Sequence, residues 1–112
     1  MLLSIQGLTA FYAGDLGQRM LASTVVRREW AFNLVMDEQG TLLQGVIDCA
    51  FLEGDAWVLV DYKTDRISDE SAFIARYQLQ LDWYARALNR ITGKPVKAKY
   101  LYAIGKQKAF AL

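Results

Sequence analysis

The chain has 112 residues, of which 54% are hydrophobic, so it is long enough for one domain with a buried core. It contains one cysteine, Cys49, and no histidine. An intramolecular disulfide, a zinc site built from Cys and His, and catalysis by Ser-His-Asp or Cys-His are therefore excluded. No apolar segment reaches the ~20 residues that span a bilayer. We expect a single soluble, cytoplasmic domain, residues 1–112, without a membrane partner.

Charge is distributed unevenly along the chain. The net charge is +1, yet residues 1–82 carry six basic and twelve acidic residues, whereas residues 83–112 carry seven basic residues and no acid. Such segregation predicts an anionic partner on one side, with nucleic acid the obvious candidate. A solvated, lysine-rich end, with Arg86 to Lys108 facing water, is the alternative.

The first half of the sequence predicts a helix and three strands. Apolar residues at near-helical spacing over residues 8–22 indicate one short or broken helix, which its glycines weaken. Three apolar segments separated by turns containing glycine then predict a hairpin and a third strand; they cover residues 26–36, 42–52 and 56–63.

The second half predicts a long helix and a final strand. Ser68 is the predicted N-cap, and apolar residues recur at steps of three and four until Gly93 and Pro95 end the helix. Residues 96–104 form the last predicted strand. The order α-β-β-β-α-β predicts an α/β fold, a mixed central sheet with helices packed on it.

The segment VLVDYKTD, residues 58–65, places an acid and a base at the end of an apolar strand. Because side chains alternate along a strand, Asp61 and Lys63 share a face, and Trp57 and Leu59 precede them on it. Burying charged groups at the rim of a core is costly unless they are paired or bind a partner. The pair is thus a candidate site.

A second carboxylate, Asp48, stands among apolar residues of the neighbouring predicted strand. Asp48 and Asp61 would repel each other unless a cation lies between them, and Mg²⁺ prefers carboxylate oxygens, water and substrate phosphate. Lys63 beside them could stabilise charge on a phosphate or position a water. The residue types thus fit a site that cleaves phosphodiesters, and one or two buried ion pairs are the structural alternative.

Three motifs in this order resemble those of the PD-(D/E)xK nuclease superfamily, and within it the RecB-type nuclease domain at the C-terminus of AddA-type helicase/nucleases. They are Gly45-Val46-Ile47-Asp48, Asp61-Tyr62-Lys63-Thr64, and Tyr77, Gln80, Leu81 and Tyr84 in the pattern Y-x-x-Q-L-x-x-Y. An upstream R-E-x-x-F pattern matches at Arg28, Glu29 and Phe32. The resemblance covers most of residues 11–104 and implies a restriction-endonuclease-like core.

The resemblance also implies roles for individual residues. Asp48 and Asp61 would bind Mg²⁺, for which Mn²⁺ could substitute, and the main-chain carbonyl of Tyr62 would add a ligand. Lys63 would be the catalytic lysine, and Gln80 and Tyr84 would support the site from the helix and contact DNA. Core packing is the alternative for Tyr77 and Tyr84. For Glu29, a site role and a solvated or ion-paired role are both open.

Two departures from the family pattern bear on the expected function. RecB-type domains place a metal-binding His on an upstream helix, so we expect either that this chain is a fragment of a longer helicase/nuclease, which could be inactive alone, or that its site is degenerate. A single Cys argues against the iron-sulfur cluster of the AddB-type relative.

The expected function is an Mg²⁺-dependent DNA exonuclease domain in double-strand break repair and homologous recombination. It would act with a partner subunit of the AddB type. ATP would bind in the absent helicase part, since the chain has no Walker A sequence. Two alternatives remain open: another PD-(D/E)xK enzyme, such as a resolvase, and a non-catalytic DNA-binding or interaction domain.

Overall fold

A five-stranded mixed sheet lies at the centre of the computed structural model, which describes the backbone of residues 5–112 and the side chains from residue 7 onward. The strands stand in chain order across the sheet. They are β1 (Val26–Val35), β2 (Leu42–Glu53), β3 (Ala56–Lys63), β4 (Val96–Ala103) and β5 (Lys108–Ala111). Neighbouring strands are antiparallel except β3 and β4, which are parallel. The predicted mixed α/β sheet is confirmed.

Helices cover both faces of this sheet. Helix α3 (Glu70–Thr92) connects the parallel strands β3 and β4 and buries Phe73, Leu81 and Leu88 against one face. Helices α1 (Ile5–Ala13) and α2 (Asp15–Ala22) pack on the other face. Each strand of the sheet's centre therefore contributes alternate residues to two separate apolar cores. No helix in the described part of the chain is long and apolar enough to cross a membrane.

Several predicted boundaries need correction. The segment predicted as one short or broken helix over residues 8–22 is broken at Gly14 into two helices, and the first of them begins at Ile5 rather than at residue 8. Their backbones pack so closely that a side chain at Gly17 would overlap the carbonyl of Phe11. The N-cap of α3 is Asp69, whose Oδ1 accepts from the Ala72 amide at 3.1 Å, and the prediction of Ser68 is wrong.

The end of the chain also differs from the prediction. Strand β4 ends at Ala103 rather than at residue 104, and a short fifth strand, β5, follows it as an antiparallel neighbour. The prediction omitted β5 because the four residues carry little pattern: one of them, Phe110, is buried and the others are exposed. The added strand extends the sheet beyond β4, on the side away from β2.

Candidate active site

Asp61 and Lys63 lie at the end of β3 on the face that packs against α3, as the alternation of the strand predicts. Asp61 is 5% exposed, and its Oδ2 lies 2.9 Å from the Lys63 ammonium. That contact is an ion pair without hydrogen-bond geometry, so Oδ2 has no hydrogen-bond donor among residues 7–112. A buried carboxylate oxygen without a donor is costly in the absence of another positive partner.

Asp48 reaches the same place from β2. The ladder between β2 and β3 ends at Cys49 and Val60, and Asp48 is the next residue along β2. Its Oδ2 accepts a hydrogen bond from the main-chain amide of Tyr62 at 3.0 Å, so its carboxylate continues the connection between the two strands. The structure thus brings Asp48, Asp61 and the backbone of Tyr62 together.

The pKa of Asp61 reflects this crowding. Burial, followed by the neighbouring Asp48 carboxylate, raises the pKa of Asp61 from 3.8 to about 7, against the opposing effect of Lys63. Desolvation and a like charge both disfavour the ionised form, and here they outweigh one ammonium. Near neutral pH, Asp61 is therefore poised to exchange its proton for another cation.

A break in strand alternation positions Asp48. On β2, Ile47 packs in the core beneath α3, whereas Cys49, two residues later, packs in the core beneath α1 and α2. In a regular strand these two residues would share a face. On β1, Glu29 has a positive φ of 48° at the point opposite Asp48, between the ladder pairs Arg28–Cys49 and Trp30–Ile47.

Two side chains of helix α3 contact Lys63, in addition to Asp61 on its own strand. Its Nζ donates to Gln80 Oε1 at 3.2 Å and lies 4.1 Å from the centre of the Tyr77 ring. Gln80 Nε2 donates in turn to the Tyr84 hydroxyl at 3.4 Å. The prediction that positions 77, 80 and 84 share one face of the helix is confirmed, and that face is turned to the end of β3.

The Tyr84 ring lies directly over Gly45 of the first motif. A Cβ at Gly45 would come within 2.6 Å of the Tyr84 hydroxyl, and the ring also meets Phe32 edge-on at 5.3 Å. Tyr84 therefore packs in the core and also fixes the amide of Gln80. Core packing, one of the two alternatives considered for Tyr84 from the sequence, is therefore observed.

Asp65 is a further member of this network, although the sequence pattern did not select it. The Tyr77 hydroxyl donates to Asp65 Oδ2 at 2.8 Å, and Arg76 lies 3.5 Å from the same oxygen. Burial, followed by Asp65, raises the pKa of Tyr77. The sequence did contain a signal for Asp65, because it is the second acid of D-Y-K-T-D and stands two residues after Lys63.

A cavity of about 760 Å³ opens on the α1 side of the sheet, next to Asp48. Its polar lining comprises Tyr12, Arg28, Glu29, Asp48 and Tyr62. Glu29 thus lies near the candidate site without an ion pair among the described residues. The sequence pattern R-E-x-x-F drew attention to Arg28 and Glu29, but not to Tyr12.

The charge segregation seen along the sequence does not persist in the folded protein. All five lysines of the basic end form ion pairs with acids from the first 82 residues: Lys94 with Asp55, Lys97 with Glu53, Lys99 with Asp82, and Lys106 and Lys108 with Glu70. Most of the acidic partners are distant in sequence, so folding mixes the signs. A continuous basic face made by these lysines is therefore not present.

The donors at the site fit a hard divalent cation. The two carboxylates of Asp48 and Asp61 offer oxygen ligands, and Asp61 Oδ2 is buried without a hydrogen-bond donor in the described part of the chain. Within the described ranges, no three His, Cys, Asp or Glu side chains cluster closely enough to hold a metal by themselves. Mg²⁺ commonly binds through one or two carboxylates with water and substrate as the other ligands.

A mixed sheet with an acid on β2, an acid and a lysine on β3, and a glutamine on the crossing helix defines a class of nucleases. The chain belongs to the PD-(D/E)XK nuclease superfamily, whose family model matches residues 6–110. The predicted relationship is confirmed.

Curated relatives narrow this assignment. The chain is 42% identical over 111 residues to the A subunit of the ATP-dependent helicase/nuclease of Desulforudis audaxviator, covering 87% of this chain and 9% of that protein. It is 42% identical over 106 residues to the protein of the same name from Clostridium botulinum strain Hall, covering 82% and 8% of the two chains. For Clostridium novyi the identity is 39% over 108 residues, covering 82% and 9%. The chain spans about a tenth of the length of these relatives.

Proposed function

We propose that this domain is a Mg²⁺-dependent deoxyribonuclease, for which Mn²⁺ could replace Mg²⁺. Asp48, Asp61 and the main-chain carbonyl of Tyr62 would hold the cation. The observation that carries the proposal is the buried Asp61 Oδ2, which has no hydrogen-bond donor among the described residues and lies beside a second carboxylate. The carboxylates of Asp48 and Asp61 are adjacent, and Lys63 supplies one ammonium beside them. The site therefore keeps a net negative charge, which a divalent cation would neutralise.

Each remaining residue would contribute through its own contacts. A bound divalent cation supplies Lewis-acid stabilisation of phosphate charge and activation of water. Lys63, pinned by Asp61 and Gln80, would place its ammonium where negative charge develops on the phosphate. Gln80 would keep Lys63 in place, and Tyr84 would fix the orientation of the Gln80 amide. Both are also proposed to contact DNA from the helix.

The names of the relatives support a wider proposal. Each is named as the A subunit of an ATP-dependent helicase/nuclease, so we propose that this domain serves an ATP-driven helicase/nuclease that acts on DNA. Exonuclease activity, a role in double-strand break repair and homologous recombination, a cytoplasmic location and a partner subunit of the AddB type belong to this proposal. The ATP site would lie in another part of the longer protein.

A second candidate function is DNA binding without catalysis on the same fold. One observation favours it: among the described residues, two carboxylates rather than three acidic or metal-binding side chains come together. The two candidates differ in a measurable way. A binding domain needs neither the divalent cation nor Lys63, whereas a nuclease needs both.

Calorimetric titration with Mn²⁺, together with cleavage of a labelled single-stranded oligonucleotide, tests the proposal. The wild-type chain should bind Mn²⁺ and cut the strand, and Asp48→Ala should lose both activities. Lys63→Met should still bind Mn²⁺ but cut on the order of a hundredfold more slowly, as expected when one electrostatic stabiliser is removed. Absence of Mn²⁺ binding in the wild type, or unchanged binding in Asp48→Ala, would overturn the metal site. DNA binding that is indifferent to both variants would favour the second candidate.

A further inference from the structure

Among the side chains that the structure describes, the positive charge that forms no ion pair is carried by arginine. All six lysines form ion pairs with carboxylates, as do Arg19 and Arg76. Within residues 7–112, the remaining arginines form no ion pair; they are Arg27, Arg28, Arg66, Arg86 and Arg90. Of these, only Arg28 lines the cavity that also contains Asp48.

We propose that Arg28 and Tyr12 bind one backbone phosphate and the adjoining nucleotide of the DNA strand beside the candidate metal site. This inference rests on the proposed function for its choice of substrate. It adds a subsite on the α1 side of the sheet, opposite the helix α3 that carries Gln80 and Tyr84. The DNA strand would then be contacted by residues from both faces of the sheet, and Asp48 would lie between the two sets of contacts.

The contacts of Arg28 orient its guanidinium and leave its hydrogen-bond donors available. The guanidinium lies 5.8 Å from the centre of the Tyr12 ring, and its Nη2 lies 3.7 Å from Met20 Sδ, a weak acceptor. The planar guanidinium can stack on an aromatic ring and still donate to two phosphate oxygens at once. An arginine beside an aromatic ring suits a nucleotide, whose phosphate and base can use the two groups separately.

The backbone at Glu29 accounts for the direction of Arg28. Trp30 and Phe32 pack beneath α3, whereas Arg28 contacts Tyr12 and Met20 on the α1 and α2 side. Positive φ is costly for a residue other than glycine, and such strain concentrates at functional sites. At Glu29, φ is 48°, and this break in alternation turns Arg28 to the cavity while Trp30 stays in the core.

The size and charge of the cavity fit this occupant. Its volume of about 760 Å³ lies within the ~300–1,000 Å³ typical of ligand sites. Glu29 and Asp48 would repel a phosphate on their own, so Arg28 supplies the favourable charge on this wall. Cation binding at Asp48 would strengthen the subsite, because it removes part of that repulsion.

Neighbouring Arg27 provides a matched control. It also has no ion pair among the described residues and is exposed, but its guanidinium lies 6.0 Å from the Trp30 ring, on the opposite side of the strand from Arg28. The variants Arg28→Gln and Arg27→Gln therefore remove the same charge at adjacent positions. Arg28→Lys keeps the charge but loses the planar fork.

The test is fluorescence anisotropy of a single-stranded oligonucleotide, with Ca²⁺ replacing Mg²⁺ to limit cleavage, over roughly 50–200 mM salt. Arg28→Gln should weaken binding about tenfold, as loss of a charge-assisted contact predicts. It should also lower the slope of log K against log salt by about 0.7, the value for one phosphate contact on a single strand. Arg27→Gln should match the wild type, and Arg28→Lys should keep the slope but bind with intermediate affinity. Circular dichroism checks that each variant is folded.

The outcomes separate this inference from the proposed function. A chain that binds DNA through Arg28 but does not cut it would overturn the nuclease and keep the subsite. A chain that cuts DNA while Arg28→Gln and Arg27→Gln behave alike would keep the nuclease and overturn the subsite. Absence of any DNA binding by the folded wild type would also overturn the subsite.

Discussion

Replacing Asp61 by Asn should change how the stability of the metal-free protein depends on pH. The pKa of Asp61 rises from 3.8 in the unfolded chain to about 7 in the folded protein, because of burial and then Asp48. Between these pH values the folded state binds the proton more tightly than the unfolded state does. The free energy of unfolding of the wild type should therefore fall as the pH rises from about 4 to about 7, and stay low above that range.

The size of this effect follows from the pKa shift. Since a tenfold change in proton affinity corresponds to about 1.4 kcal/mol, a rise in the pKa of Asp61 from 3.8 to about 7 corresponds to at most about 4 kcal/mol. That is a large part of the ~5–15 kcal/mol that stabilises a typical domain. The pKa of Glu53 is lowered from 4.5 to about 2 by Arg19 and then Lys97, so its own contribution to stability changes mainly between pH 2 and 4.5, with the opposite sign to that of Asp61.

Urea denaturation from pH 4.5 to 8.5 in the presence of a chelator, followed by tryptophan fluorescence, measures this effect. Asp61→Asn should be nearly insensitive to pH across the window and more stable than the wild type at pH 8. Asp48→Asn should reduce the total loss of stability across this range without removing it, because burial of Asp61 remains. Added Mg²⁺ should restore stability at pH 8 to the wild type but not to Asp61→Asn. A wild type whose stability rises with pH, or an Asp61→Asn variant that is no more stable at pH 8, would refute the reasoning.

Two further predictions concern packing and helix capping. Gly45→Ala should lower the free energy of unfolding by about 1–3 kcal/mol, because its Cβ would come within 2.6 Å of the Tyr84 hydroxyl. In a Tyr84→Ala background, Gly45→Ala should lower the free energy of unfolding far less. If urea denaturation shows the same loss with and without Tyr84, this packing is contradicted. Asp69→Ala should cost about 1 kcal/mol by removing the N-cap of α3, whereas Ser68→Ala should change stability by less than about 0.5 kcal/mol. Thermal denaturation compares the stability of the two capping variants. A larger loss of stability in Ser68→Ala than in Asp69→Ala would show that Ser68 is the N-cap, as predicted from the sequence.

The sequence predicted the parts of the site that depend on local periodicity. Alternation along β3 placed Asp61 and Lys63 on one face of that strand. Helical spacing placed Tyr77, Gln80 and Tyr84 on one face of α3. These patterns are reliable because each involves one regular element, whose geometry repeats every two or 3.6 residues. The short, mostly exposed strand β5 lacked such a pattern and was missed.

Contacts between distant elements were not predictable in the same way. The five lysines of the basic end lie in one segment, and nothing in their spacing indicates that each meets an acid from the first 82 residues. These partners are set by sheet order and by the crossing of α3, which bring together residues far apart in the chain. A charge pattern read along the sequence therefore overstated the basic surface of the folded domain.

The break in alternation at Glu29 and Asp48 shows why one irregular position can matter more than a long regular one. Had β1 and β2 alternated regularly, Cys49 would share a face with Ile47, and Arg28 would share one with Trp30. Instead, both strands change faces at the same level, where Glu29 takes a positive φ. Because of this change, Asp48 accepts a hydrogen bond from the Tyr62 amide of β3, and Arg28 faces the cavity that Asp48 also lines. The same local strain thus serves both the candidate metal site and the proposed phosphate subsite.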